Sequence, residues 1–156
     1  MRPSPYGQSY RSSGAVINIS ENTSGPGLRI LLVDDNEDAS ASMADLLALY
    51  GHQVRTAGNG MQALEAAAQF APQLVLSDIG LPGMDGYELA PALKRQAGTR
   101  PMVLAAVTGY GLASDRERAI TAGFDHHLIK PLSADALLRF IDEQVDQPQA
   151  FHHVST

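Results

Sequence analysis

The sequence has no cysteine among its 156 residues, which excludes disulfides, thiolate metal sites and thiol nucleophiles. It also lacks a long apolar run. The longest, Met102 to Val107, falls far short of the roughly 20 residues that a membrane-spanning helix needs. No charged segment leading into an apolar one opens the chain, so no secretion signal is read and the cytoplasm is the expected location. Basic residues are few: 11 Lys and Arg face 17 Asp and Glu, a formal net charge of -6. That balance argues against direct binding to nucleic acid or an anionic membrane surface. There is no Walker loop, no zinc-protease helix motif, no nucleophile elbow and no repeat of solenoid period. What is present is an ordinary globular mix, 44% hydrophobic and 18% charged. The length suits one domain plus a tail, with a core that needs no staples.

Residues 1–27 stand apart, rich in Ser, Gly, Pro and Asn, and read as a flexible tail or linker. The sequons at Asn18 and Asn22 lie inside it and are read as chance occurrences. From Leu28 the pattern becomes regular. Arg29 to Val33 is a short apolar run, as in a strand buried on both faces. A helix follows, with Met43, Leu46, Leu47 and Tyr50 on one face and Gly51 as its stop. His52 to Thr56 is a more polar strand suited to a sheet edge. Met61 to Gln69 is helical and closed by Pro72. Leu74 to Ser77 is a third strand, Tyr87 to Gln96 a helix, Met102 to Val107 a fourth strand. Ser114 to Ala122 forms a polar helix, His126 to Ile129 a fifth strand, and Ala134 to Val145 a last helix burying Leu137, Leu138, Ile141 and Val145. Five such alternations imply an α/β, doubly wound, five-stranded parallel sheet with helices on both faces, spanning residues 28–146. Residues 147–156 read as a second tail, too short for a DNA-binding or catalytic output domain.

In a doubly wound sheet, ligands bind beyond the carboxyl ends of the strands. The first strand ends in Asp34 and Asp35, the third in Asp78, the fourth in Thr108 and the fifth in Lys130-Pro131. Three carboxylates, a hydroxyl and an ammonium thus converge on one edge. Two carboxylates about 4 Å apart repel by roughly 4 kcal/mol at an effective dielectric of 20, so the cluster asks for a counter-ion. An all-oxygen set with room for water suits Mg²⁺. Such a site, with Lys130 and Thr108 addressing phosphoryl oxygens, has the parts phosphoryl transfer requires. One carboxylate then acts as nucleophile, and Asp78 is the candidate because the glycine-rich loop after it leaves space for a donor. The plainer alternative is that Asp35, Asn36 or Ser133 merely caps the following helix. It accounts for single residues but not for all five together.

The segments Leu31-Leu-Val-Asp-Asp-Asn36, Leu76-Ser-Asp-Ile-Gly-Leu-Pro-Gly-Met-Asp-Gly86, Val107-Thr-Gly109 and Leu128-Ile-Lys-Pro131 resemble response-regulator receiver domains. The resemblance covers about Leu28 to Asp146. It implies a flavodoxin-like fold of strand order 2-1-3-4-5, and phosphorylation of Asp78 by a histidine kinase or histidine phosphotransfer protein. It also implies Mg²⁺ held directly by Asp35, largely through water by Asp34, and by Asp78 and the backbone carbonyl of Gly80. Thr108 and Lys130 bind the phosphoryl group, the Lys130-Pro131 bond is cis, and His127, in place of a more usual Tyr or Phe, acts with Thr108 as the switch. The implied output face is the fourth helix, fifth strand and fifth helix. Self-catalysed, Mg²⁺-dependent phosphorylation and slow autodephosphorylation follow, in a monomer or weak dimer. The stretch Gly123 to Pro131 most resembles receivers at the C-terminus of hybrid sensor kinases, though a stand-alone receiver remains an equal alternative.

Pro91 departs from the pattern: within the third helix it removes a backbone bond and predicts a bend near Tyr87. Gly80 and Tyr110 occupy positions that tune phosphoryl lifetime in the family. His126 and His127, adjacent on a strand, point to opposite faces and so make a poor metal pair. His152 and His153 fall in the tail. Two rival readings stand beside the main one. A phosphorylation-independent binding module would keep only the fold. A dinucleotide-binding domain is suggested by Gly58-x-Gly60-x-x-Ala63, but that motif follows a polar strand and leaves Asp34, Asp35 and Lys130 without a role.

Overall fold

The computed structural model describes residues 27–109 and 113–145, so the two tails, their sequons and histidines, and Tyr110 lie outside the described residues. Five strands and five helices alternate: β1 (Arg29–Val33), α1 (Glu37–Leu49), β2 (Gln53–Ala57), α2 (Gly60–Phe70), β3 (Leu74–Asp78), α3 (Gly86–Ala97), β4 (Val103–Thr108), α4 (Ala113–Ala122), β5 (His126–Ile129) and α5 (Ala134–Val145). The strands form one parallel sheet of order β2-β1-β3-β4-β5. This is the doubly wound architecture and strand order expected.

Alternation along each strand divides the core in two. Leu31, Val33, Val75 and Leu104 face α2 and α3, where Ala63, Leu89 and Leu93 meet them. Ile30, Leu32, Leu74 and Leu76 face α1 and α5, against Leu47, Leu137 and Ile141. Each such Leu, Ile or Val side chain, fully buried, contributes about 1.5–3 kcal/mol. The central strands β1, β3 and β4 are apolar on both faces, whereas β2 is mostly exposed, as its polar sequence requires.

Local chemistry sets the helix ends. Asn36 caps α1 by accepting from Ala39 N–H, and Asn59 caps α2 by accepting from Gln62 N–H. Asp85 and Glu88 form a reciprocal capping box on α3. Ser133 Oγ accepts from Ala136 N–H at the start of α5. Gly51, at φ 91°, follows α1. The end of α2 differs from expectation: Ala71, not Pro72, closes it. Ala71 adopts the left-handed conformation at φ 52°, and its N–H donates to Ala67 O. The helix α3 runs without interruption from Gly86 to Ala97 although Pro91 has no N–H to give the Tyr87 carbonyl.

Candidate functional site at the carboxyl ends of the strands

Parallel order brings the ends of β1, β3, β4 and β5 to one edge of the sheet. Val33 pairs with Ser77, Asp78 with Val107, and Thr108 with Ile129. The residues that follow β1 and β5, together with Asp78 at the end of β3, therefore emerge side by side. Asp78 is the last residue of its strand, one position further into the sheet than the sequence suggested. That placement fixes its backbone and leaves only the carboxylate projecting from the edge.

Asp34, Asp35 and Asp78 each offer a carboxylate oxygen, and these oxygens lie within 4.8 Å of one another. Lys130 reaches into the group from the β5 end. Its Nζ is 3.0 Å from Asp78 Oδ2 and 3.8 Å from Asp34 Oδ2. Asp78 Oδ1 accepts from Gly80 N–H at 3.2 Å, and Asp34 Oδ1 from Asn36 N–H at 2.9 Å. Backbone bonds hold the frame: Asp34 N–H donates to Ala57 O, and Lys130 N–H to Thr108 O. Thr108 is buried at the end of β4. The Lys130-Pro131 peptide bond is cis.

Burial works against the Lys130 ammonium. The hydrogen bond to Asp78 and the charges of Asp78, Asp34 and Asp35 outweigh it and hold the lysine pKa above its usual value. Lys130 is therefore a fixed cation throughout the neutral range. It sets one cation against three carboxyl groups, so acidic groups are in excess at this edge.

The donor set fits a small hard cation. All offered atoms are carboxylate oxygens within 4.8 Å of one another, the hard donors that Mg²⁺ takes. Nothing in this cluster is a soft donor, and His126 and His127 do not join it. His126 lies edge-on to Phe140 of α5, ring centroids 5.0 Å apart. His127 pairs with Ala106 of β4, on the opposite face, which also carries Thr108. Its Nε2 is buried and finds no partner among the described residues.

The glycine motif at Gly58 has a structural explanation. Gln62 Oε1 accepts from Gly58 N–H, and Asn59 Oδ1 accepts from Gln62 N–H, so these donors at the helix start are already used. A Cβ on Gly60 would lie 2.9 Å from Met84. Close packing, not a pyrophosphate, accounts for that glycine.

Two structural roles had no signal in the sequence. Asp125 Oδ2 accepts from Leu104 N–H at 2.8 Å, tying the turn before β5 to β4. His52 Nδ1 accepts from Leu28 N–H at 3.0 Å just before β1. In each case the polar atom serves a backbone group far away in the chain.

A parallel sheet of this order with an acidic pocket at its strand ends is a receiver-type fold, and comparison bears this out. A receiver domain protein (CheY-like) from Methanospirillum hungatei JF-1 superposes with a TM-score of 0.71 at 30% identity, covering 79% of this chain and 97% of that one. The sequence model for the response regulator receiver domain matches residues 30–142, and the chain belongs to that family. The sensor histidine kinase RcsC of Salmonella typhi is 38% identical over 110 residues, 70% of this chain but only 11% of that protein. The transcriptional activator protein PfeR of Pseudomonas aeruginosa is 38% identical over 121 residues, 73% of this chain and 39% of that protein. The chain thus spans about a tenth of the length of RcsC and about two fifths of PfeR. It is a receiver domain of two-component systems. No helix among the described residues is long and apolar enough to cross a membrane.

Proposed function

We propose that the chain accepts a phosphoryl group on Asp78 from a phosphohistidine of a histidine kinase or histidine phosphotransfer protein. Three carboxylates gathered at one edge, two of them paired with Lys130, whose Nζ is 3.0 Å from Asp78 Oδ2, carry this reading. A carboxylate oxygen of Asp78 attacks phosphorus, the P–N bond of the donor breaks, and its electron pair leaves with the imidazole, which takes up a proton from solvent. Lys130 neutralises one phosphoryl oxygen and the Thr108 hydroxyl donates to another. Asp34, Asp35, Asp78 and the Gly80 carbonyl would hold Mg²⁺, which when bound offsets the negative charge gathered at the transferring group. Hydrolysis of the acyl phosphate later resets the domain.

The added phosphoryl charge falls beside Lys130 and draws Thr108 toward the site. Vacated space behind Thr108 lies on the face of β4 and β5 that carries His127, whose Nε2 has no partner among the described residues and can follow. Such a coupled move would pass the signal to the face built from α4, β5 and α5.

Incubation with acetyl phosphate and Mg²⁺ should add one phosphoryl group by intact mass, with no gain in Asp78→Asn or without Mg²⁺. A folded, Mg²⁺-binding protein that gains nothing would favour the binding-module alternative. Lys130→Met should separate the roles of the site. Loss of a fixed cation should tighten Mg²⁺ binding by about tenfold, a change of ~1.4 kcal/mol, while phosphoryl uptake falls. Weaker Mg²⁺ binding in calorimetry would show that Lys130 organises the carboxylates rather than opposing the ion.

A further inference from the structure

The acidic edge continues into a cleft whose mouth is formed by Asp34, Asp35, Asp78 and Lys130 and whose apolar inner end phosphoryl transfer does not use. It runs inward between α1 and the β5–α5 connection and has a volume of about 630 Å³, well within the 300–1,000 Å³ of small-molecule sites. Met43, Val107, Leu132 and Leu137 give it aliphatic walls. Among them lies Ser40, only 7% exposed, whose Oγ has no hydrogen-bond partner among the described residues. A buried hydroxyl without a partner is costly, and in an apolar wall it marks where a ligand's polar atom would be welcome.

The mouth of the cleft is negative. Lys130 pairs with Asp78 and Asp34, and among the described residues no ion pair engages Asp35, which is exposed at the rim. An anionic ligand would meet net repulsion there, and a neutral one would leave the charge unused. We infer that this cleft binds a small amphipathic organic cation: an ammonium head on Asp35, a compact apolar body between Met43 and Leu132, and a polar atom on that body hydrogen-bonded to Ser40. Because the head takes the place of a divalent ion, the ligand and Mg²⁺ exclude one another. Such a compound would hold the receiver in a form that cannot be phosphorylated.

The inference goes beyond phosphoryl acceptance and is tested without it. In Mg²⁺-free buffer, tyramine and phenethylamine differ only by the hydroxyl that Ser40 would meet. Titration followed by methyl spectra should give saturable shifts at Met43 and Leu132. Tyramine should bind about three- to tenfold more tightly than phenethylamine, the usual net yield of one hydrogen bond. In Ser40→Ala the two amines should bind alike, and this variant should melt higher than the parent because an unsatisfied buried hydroxyl is gone. Asp35→Asn should weaken both amines, and Mg²⁺ should displace both. Equal binding of the two amines to the parent protein would overturn the proposal. So would shifts that do not saturate, shifts confined to the rim, binding indifferent to Mg²⁺, or a lower melting temperature for Ser40→Ala. All these readouts are independent of whether Asp78 becomes phosphorylated.

Discussion

Gly86→Ala should cost about 1–3 kcal/mol of stability and slow the phosphoryl uptake proposed for Asp78 at the same time. A Cβ at Gly86 would lie 2.8 Å from Asp78 O and 2.8 Å from Ile79 Cα, both backbone atoms, and 3.0 Å from Ile79 Cδ1. Backbone atoms cannot rotate away, so either the start of α3 or the end of β3 must shift. Gly86 N–H also donates to Ile79 O at 2.8 Å, and that bond ties the helix start to the residue after Asp78. Alanine's better helix propensity returns only about 0.5–1 kcal/mol. Since a misplacement on the order of 1 Å in a reacting group can cost about a hundredfold in rate, the functional loss should exceed what the stability change alone predicts. Gly80→Ala is the matched control. Nothing lies within 4 Å of a Cβ there, and a substitution in open space should stay within about 0.5 kcal/mol. Urea unfolding of both variants, beside their rates of phosphorylation, checks the contrast. Equal stabilities would mean that the close approach at Gly86 is relieved by small adjustments.

The domain should also lose stability in mild acid, through His52. Burial pushes the pKa of this imidazole from 6.5 down to about 4. Its Nδ1 accepts from Leu28 N–H, so the neutral ring is the form that fits. In the unfolded chain the ring takes up its proton near the ordinary value, and the folded state resists until a much lower pH. The stabilisation is therefore complete above about pH 6.5 and drains away as pH falls toward 4. At 1.36 kcal/mol per pH unit, and allowing for partial contact with solvent, this amounts to roughly 2–3 kcal/mol. His52→Asn keeps an acceptor for Leu28 N–H and cannot take up a proton in this range. The difference in unfolding free energy between parent and variant, followed from pH 7 to pH 4, should therefore shrink or reverse in the variant's favour. A constant difference would mean that His52 is protonated in the fold without penalty.

The architecture was legible because its signals are local and repeated. β1, β5 and α5 begin and end where hydrophobic pattern places them, since Arg29–Val33 and His126–Ile129 are bounded by abrupt changes of composition. The acidic edge was legible for a related reason: parallel strands all end at one side, so the residue at each strand end is read directly from the chain. Other features depend on distance. Whether Pro72 or Ala71 ends α2 turns on one residue's left-handed conformation, which alanine does not advertise. Asn36, rather than Asp35, caps α1, a choice between neighbours of nearly equal capping strength. The roles of His52 and Asp125 could not be foreseen, because each serves a backbone group at least 21 residues away. Ser40 looked like an ordinary polar helix residue, and only packing of α1 over the sheet shows that its hydroxyl is enclosed.

The two adjacent histidines of β5 sit on opposite sides of a wall one strand thick. His126 touches Phe140 in the layer shared by α1 and α5, and His127 lies in the layer toward α4. They are thus built-in reporters, one for each half of the interior. A ligand lodged under α1 should perturb the ring signals of His126, whereas phosphorylation acting through Thr108 should perturb those of His127. A single spectrum of the imidazole protons would then tell the two events apart in the unlabelled chain.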